Sequence, residues 1–243
     1  MRKYRLALTV AVPVLGFLLT LLLVSGYQHL RMKNDLATSV VRTLQQAEAR
    51  EINSFFTTID QQLHLLRDWG REGVLFTGDA TSFNKKMIPL LGQLSAVRGI
   101  IVAGDGGKEY YLYRDGESYI QRTTQKTSQG SLQQFSRWST SGELSEKWQK
   151  TSDYTPETRP WYTGAEDDGS VSWTEVYNFF ENGQAGITGS VAWTGKDGHF
   201  VVAMDLPLEN FAEVLKATMV ERPGQLLLLD VESGRYVKAK TET

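Results

Sequence analysis

Gly99-Ile-Ile-Val-Ala-Gly-Asp-Gly-Gly-Lys-Glu-Tyr-Tyr-Leu-Tyr-Arg-Asp-Gly-Glu-Ser-Tyr-Ile-Gln-Arg122 contains three short runs, 99–103, 108–114 and 118–122, rich in β-branched and aromatic residues. Two glycine-containing turns separate them, Asp105-Gly106-Gly107 and Asp115-Gly116-Glu117. Short runs of this composition joined by tight turns predict an antiparallel meander. The same grammar returns downstream, at 172–179, 185–194 and 200–206, with Glu181-Asn182-Gly183 and Gly195-Lys196-Asp197-Gly198 as hairpin signals.

On the N-terminal side the period changes. Leu36, Val40, Leu44, Ala47, Ile52, Phe55 or Phe56, Ile59, Leu63, Leu66 and Trp69 recur every three or four positions among charged and amide residues, which predicts one amphipathic helix over 28–70. At 1.5 Å per residue it would be about 60 Å long. A small domain cannot cover that length, so the stripe is expected to meet a second copy in a parallel homodimer, although its C-terminal half would also suit packing on its own sheet. A second helix is expected at 82–97, kinked or restarted at Pro89. The polar stretch 124–141 reads as a loop or short helix, 143–150 as a short helix, and 208–217 as a helix opened by Pro207. Long helix, antiparallel sheet and short helices make an α+β domain. Residues 225–230 and 235–239 read as a further hairpin with nothing to pack on, from which the natural chain is expected to continue past Thr243.

Residues 6–27 carry no charge, enough apolar helix for the roughly 30 Å hydrocarbon layer of a membrane. Arg2, Lys3 and Arg5 precede this stretch and Arg31 and Lys33 follow it, so the positive-inside rule puts the remainder outside the cytoplasm. An inner-membrane protein with its bulk in the periplasm, or outside the cell, is expected. Of 26 basic residues these five are the only ones in 1–33, where there is no acid, which leaves 21 basic against 28 acidic residues beyond. No basic stripe remains for nucleic acid. The chain has no cysteine, which excludes disulfides, thiolate zinc sites and a thiol nucleophile. His29, His64 and His199 sit in no metal or catalytic spacing and read as solvated surface residues. Asp105-Gly106-Gly107 and Asp167-Asp168-Gly169 lack the ligands of a calcium loop and read as turns. No catalytic residue, metal site or cofactor is expected, and an anchored enzyme is the weakest of the function classes.

Binding chemistry is better represented. Tyr154-Thr-Pro-Glu-Thr-Arg159-Pro-Trp161-Tyr162 places one guanidinium among three aromatic rings, and planar paired donors suit a carboxylate. Trp173 and Tyr177 follow on the next strand, and Asp205 ends an otherwise apolar one. An acid there needs a partner. Arg159 could pair with it structurally, or Arg159 could take a ligand carboxylate while Asp205 takes an ammonium.

Membrane anchor, long helix, antiparallel sheet, the Tyr-x4-Arg-x-Trp-Tyr loop, Tyr177 and Asp205 together resemble the extracytoplasmic double Cache (dCache) sensor domain of bacterial transmembrane receptors. The resemblance covers about residues 28–240, with 71–223 as a membrane-distal module and 224–243 as the start of a membrane-proximal one, after an anchor at 1–27 and a stalk helix at 28–70. In the amino-acid-binding class it implies that Arg159, Trp161 and Tyr162 hold the carboxylate, with Tyr154 before them, Tyr177 on the following strand, and Asp205 on the amine. Two residues after Tyr177, where that class often carries a second acid, this chain has Phe179. The resemblance implies an amino acid or a related small carboxylate or amine as partner, signalled through the long helix to a cytoplasmic output. The alternative is a ligand-free dimerisation or protein-interaction module.

Overall fold

In the computed structural model the described residues are 50–75, 80–128, 130–196, 198–218, 225–229 and 236–240. The expected membrane span and the N-terminal part of the stalk helix lie outside them, and among the described residues no helix is long and apolar enough to cross a membrane. Contacts divide the chain into Met1–Ser54 and Phe55–Thr243. In the first unit residues 50–54 are helical.

The second unit opens with helix α1, residues 55–71, then α2, Ala80–Gln93, which carries Pro89 inside it. Strands follow as β1 Gly99–Gly104, β2 Lys108–Asp115, β3 Ser118–Thr127, β4 Gly130–Trp138 and β5 Leu144–Ser152. A 3-10 turn at Pro156–Thr158 and the short helix α3, Pro160–Thr163, lead to β6 Ser172–Trp173, β7 Tyr177–Asn178, β8 Ala185–Gly195 and β9 Gly198–Pro207. Helix α4, Leu208–Thr218, ends this run, and β10 Gln225–Leu229 pairs with β11 Tyr236–Lys240 in a separate two-stranded sheet. The main sheet is antiparallel throughout, in the order β5-β4-β3-β2-β1-β9-β8-β6, with β7 also on β8. The fold is α+β.

Two of the expected helical or loop segments are strands. Residues 124–141, read as loop or helix, complete β3 and form β4, and 143–150, read as a helix, is β5. In β4 the inward positions Ser131, Gln133 and Phe135 alternate correctly, but two of the three are polar, so alternation of hydrophobicity is hidden. β5 is an edge strand exposed along nearly its whole length, and its Glu, Lys and Gln residues have no apolar face to display. Pairing with β4, and Trp148 stacking on Phe135 at 5.2 Å, decide its conformation instead. The expected strand 172–179 is two separate two-residue pairings on β8.

Strand alternation gives the sheet two faces. The helices occupy one of them. The α1 stripe Ile59, Leu63, Leu66 is fully buried, Gly70 lets the helix lie directly on the Trp193 ring, and α2 places Phe83 against Tyr110. The other face carries Ile101, Ala103, Tyr111, Ala192, Val201 and Ala203, covered by Trp161 from α3. A Cβ on Gly70 would come within 2.3 Å of the Trp193 ring. Gly70→Val is therefore expected to destabilise the domain by about 2 kcal/mol through overpacking, read as a lower urea midpoint; an unchanged midpoint would mean that α1 does not depend on this close approach.

Candidate ligand-binding site

The residues singled out by sequence are gathered on the face opposite the helices, with one exception. Trp161 is buried in the core of that face, and Tyr162 and Tyr177 are packed at its margin. Asp205 on β9 stands opposite Thr188 on β8 and Gly99 on β1, in line with Ala203 and Val201 of the same core. Trp173 stands apart. It lies on the helix side, where its indole N–H donates to Asp60 Oδ1 of α1 at 3.1 Å and its ring meets Phe56 edge-on at 4.8 Å.

Asp205 is fully buried and accepts two hydroxyl hydrogen bonds, from Tyr111 Oη at 2.7 Å and from Thr188 Oγ1 at 2.7 Å. Thr188 gives its single proton to Asp205, so the Tyr177 hydroxyl, 2.7 Å from Thr188 Oγ1, is the donor in that pair. The Tyr177 ring in turn lies 5.6 Å from the Arg159 guanidinium carbon. A chain of contacts thus runs Arg159, Tyr177, Thr188, Asp205, Tyr111. Among the described residues no ion pair joins Arg159 to Asp205, so the two are not structural counter-ions in direct contact. Arg159 is half-buried, and its only polar side-chain contact among the described residues is a long bond of 3.4 Å to the Asn178 carbonyl.

Burial raises the Asp205 carboxyl above its ordinary value, against the pull of Thr188, Tyr111, Arg98 and Arg122. Burial likewise raises the Tyr177 and Tyr111 phenols, with Asp205 adding to both, and pushes Tyr162 up to about 12. All three rings are therefore neutral hydrogen-bonding groups at physiological pH.

Tyr154 reaches the face through a group that the sequence did not announce. Its hydroxyl donates to Glu109 Oε1 at 2.5 Å. Glu109 also accepts two bonds from Arg122, Nε and Nη2 each at 2.9 Å, and one from Thr124 at 2.8 Å. Arg122 pairs a second time with Glu181 in the turn between β7 and β8, and its guanidinium lies 4.3 Å from the Tyr154 ring centre and 5.1 Å from that of Tyr111. Burial disfavours the Arg122 cation most strongly, but Glu109, Tyr154 and Tyr111 together outweigh it and leave the guanidinium held above its ordinary value. Glu109 and Arg122 are visible in the sequence only as strand residues. Their pairing follows from the β2–β3 register, which puts Glu109 opposite Thr124 and Tyr111 opposite Arg122, all on one face.

Phe179, two residues after Tyr177, is buried edge-on against it at 5.4 Å and rests on Gly186, where a Cβ would come within 2.2 Å of its ring. His64 and His199 are not the free surface residues expected, and His29 lies outside the described residues. His64 is half-buried with Nε2 2.9 Å from the Gly169 carbonyl, and His199 Nδ1 lies 3.3 Å from Asp167. Asp105 and Asp168 do serve turns, accepting from the backbone N–H of His199 and Ser170 respectively, each at 2.8 Å. A cleft of about 630 Å³ lies elsewhere, lined by Gln121, Gln134, Trp138 and Gln149 among others, and none of the sequence-selected residues borders it.

No protein-family model and no curated protein matches the chain. Among solved structures, the sensory domain of the Campylobacter jejuni chemoreceptor Tlp3 with isoleucine bound aligns with TM-score 0.46 and 15% identity, over 79% of this chain and 65% of that one. The ligand-binding domain of the Pseudomonas fluorescens chemoreceptor CtaA in complex with L-alanine aligns with TM-score 0.47 and 16% identity, over 82% of this chain and 69% of that one. The chain thus spans just under two thirds of the length of the Tlp3 domain.

Two outcomes follow from the buried charges. Arg122→Met leaves the Glu109 carboxylate buried without its cation and is expected to cost about 3–5 kcal/mol in chemical denaturation. Adding Glu109→Gln to the same chain should recover a substantial part, because the two effects are coupled. Asp205 has a folded-state pKa above its unfolded value, so its contribution is fully present below about pH 3.9 and is lost as pH rises through the raised value. Asp205→Asn is therefore expected to raise the melting temperature at neutral pH, with the gain shrinking as the pH is lowered through that window; a gain independent of pH would contradict the assignment.

Proposed function

We propose that this chain is the sensor portion of a bacterial transmembrane receptor, a dCache domain that binds a free amino acid on the sheet face opposite the helices. The observation that carries the reading is the line from Arg159 through Tyr177 and Thr188 to Asp205. It provides a guanidinium with open donors at one end and a buried carboxylate at the other. A zwitterion matches that polarity, its carboxylate on Arg159 and its ammonium on Asp205 with Tyr177 beside it. Trp161 and Tyr162 supply the wall. Tyr154 contributes from behind, as a fixed support hydrogen-bonded to Glu109, and Trp173 is left out of the site.

The uncharged stretch 6–27 and its flanking charges support an inner-membrane anchor with the sensor in the periplasm. In this reading the domain is no enzyme, forms a parallel homodimer along the stalk helix, and needs no cofactor. Ligand closure on one face would shift the sheet against α1 on the other, passing a small displacement toward the membrane. Phe179 leaves Asp205 as the single acid for the ammonium, so affinity depends strongly on the carboxylate end.

A thermal-shift screen of the full chain against the twenty amino acids and small amines and carboxylates tests this. At least one amino acid should raise the melting temperature, and Arg159→Ala, whose side chain makes no short internal bond, should fold normally yet bind about 30-fold or more weakly, the effect of removing one partner of a charged contact. If no compound binds, or if Arg159→Ala unfolds the protein, the face is a structural or dimerisation surface.

A further inference from the structure

We propose that Arg98 receives a second carboxylate of the ligand, so that the molecule bound on this face is an acidic α-amino acid. This deepens the amino-acid reading above and rests on it.

Arg98 immediately precedes β1, and its backbone N–H donates to the Asp205 carbonyl at 2.8 Å, which ties it to the strand that carries the acid. Its guanidinium carbon lies 5.0 Å from the centre of the Tyr113 ring, a ring packed at the margin of the same core as Tyr162 and Tyr177. Its Nη1 is shielded from water and has no hydrogen-bond partner, and among the described residues no carboxylate lies within ion-pair distance of it. A guanidinium N–H withdrawn from water without an acceptor is unfavourable, and an arriving acceptor would relieve it.

The charges on this face indicate which acceptor. Three guanidiniums, Arg98, Arg122 and Arg159, belong to the neighbourhood. Arg98 and Arg122 both act on the Asp205 carboxyl, and Arg159 acts on the Tyr177 phenol next to it. Arg122 is saturated, because Glu109 and Glu181 both pair with it and it makes no further demand. Asp105 and Glu157, beside Tyr162, accept from the backbone N–H groups of His199 and of Gly106 and Gly107, and Asp115, near Tyr113, is paired with Arg137. Among the groups that act on Asp205 and Tyr177, two guanidiniums and one carboxylate remain, a locally positive site. A neutral amino acid satisfies Arg159 and Asp205 and leaves Arg98 unmatched. A plain dicarboxylate satisfies both arginines and leaves Asp205 unmatched. Two carboxylates and one ammonium on a short chain match all three, with the side-chain carboxylate on Arg98.

Isothermal titration of the full chain with L-glutamate, L-aspartate, L-glutamine and L-asparagine reads this directly. At least one acid should bind about tenfold or more tightly than its own amide, since the contact is between two charges. In Arg98→Gln, checked for folding by circular dichroism, the acid-to-amide ratio should fall toward one. The proposal is overturned if the amides or the aliphatic amino acids bind wild type as tightly as the acids, or if the ratio survives in Arg98→Gln. If that variant fails to fold, the wild-type ratio alone decides. If none of the twenty amino acids binds, the reading of the face as an amino-acid site fails, and this assignment with it.

Discussion

The buried pairing of Glu109 with Arg122 fixes most of what surrounds it. Two charges this far from water are stable only when every remaining donor and acceptor is matched. Thr124, Tyr154 and Glu181 complete the match. Thr124 is the strand neighbour of Glu109, but Tyr154 comes from the segment after β5 and Glu181 from the turn between β7 and β8, so the ion pair draws in two pieces of chain that have no strand pairing with β2 or β3. The Tyr154–Tyr162 segment is thereby hung at a fixed height over the sheet, and α3 brings Trp161 down onto Ala103, Ala192 and Ala203. Small residues on the strands leave room for that indole.

The sheet divides its labour between its faces. Beneath α1 it is apolar and closely fitted, with Gly70 on Trp193 and the Ile59, Leu63, Leu66 stripe wholly buried, while beneath α2 it carries the Asn84–Gln121 amide pair and Arg114, whose Nε is unmatched. The opposite face is costly by comparison. It holds Asp205, raised above its ordinary pKa by burial, and Arg98 with an unmatched nitrogen. Costs of this kind persist where a ligand offsets them, and local frustration of a stable fold is common at functional sites.

The meander at 99–122, the β8–β9 hairpin and the apolar stripe of α1 are legible because their side chains repeat with the period of the structure they adopt, whereas the run 172–179 is broken into two short pairings on β8. β4 and β5 are not legible. Gln133 and Ser131 occupy inward positions as polar residues, and an edge strand of Lys, Glu and Gln has no hydrophobic period to read. In the candidate site, Arg159, Trp161, Tyr162, Tyr177 and Asp205 could be named from motif and spacing, although Trp173 turns to the helix side because its strand position pairs with Gly189 rather than with a residue of the other face. Glu109 and Arg122 were harder. They meet because the turn at Asp115–Ser118 sets a register in which 109 faces 124. That relation becomes arithmetic once the turn is assigned, and is invisible as a motif. Arg98 gives no sequence signal at all, since its place beside Tyr113 depends on how the chain enters β1.

The central claim is that one end of this face grips a carboxylate and the other an ammonium. The most direct measurement is a calorimetric titration of the full chain with the amino acid that binds it best, beside the α-amide and the N-acetyl derivative of that same amino acid. The account predicts that each derivative loses most of the affinity of the parent, because one removes the charge facing Arg159 and the other the charge facing Asp205. Equal binding of either derivative would contradict it.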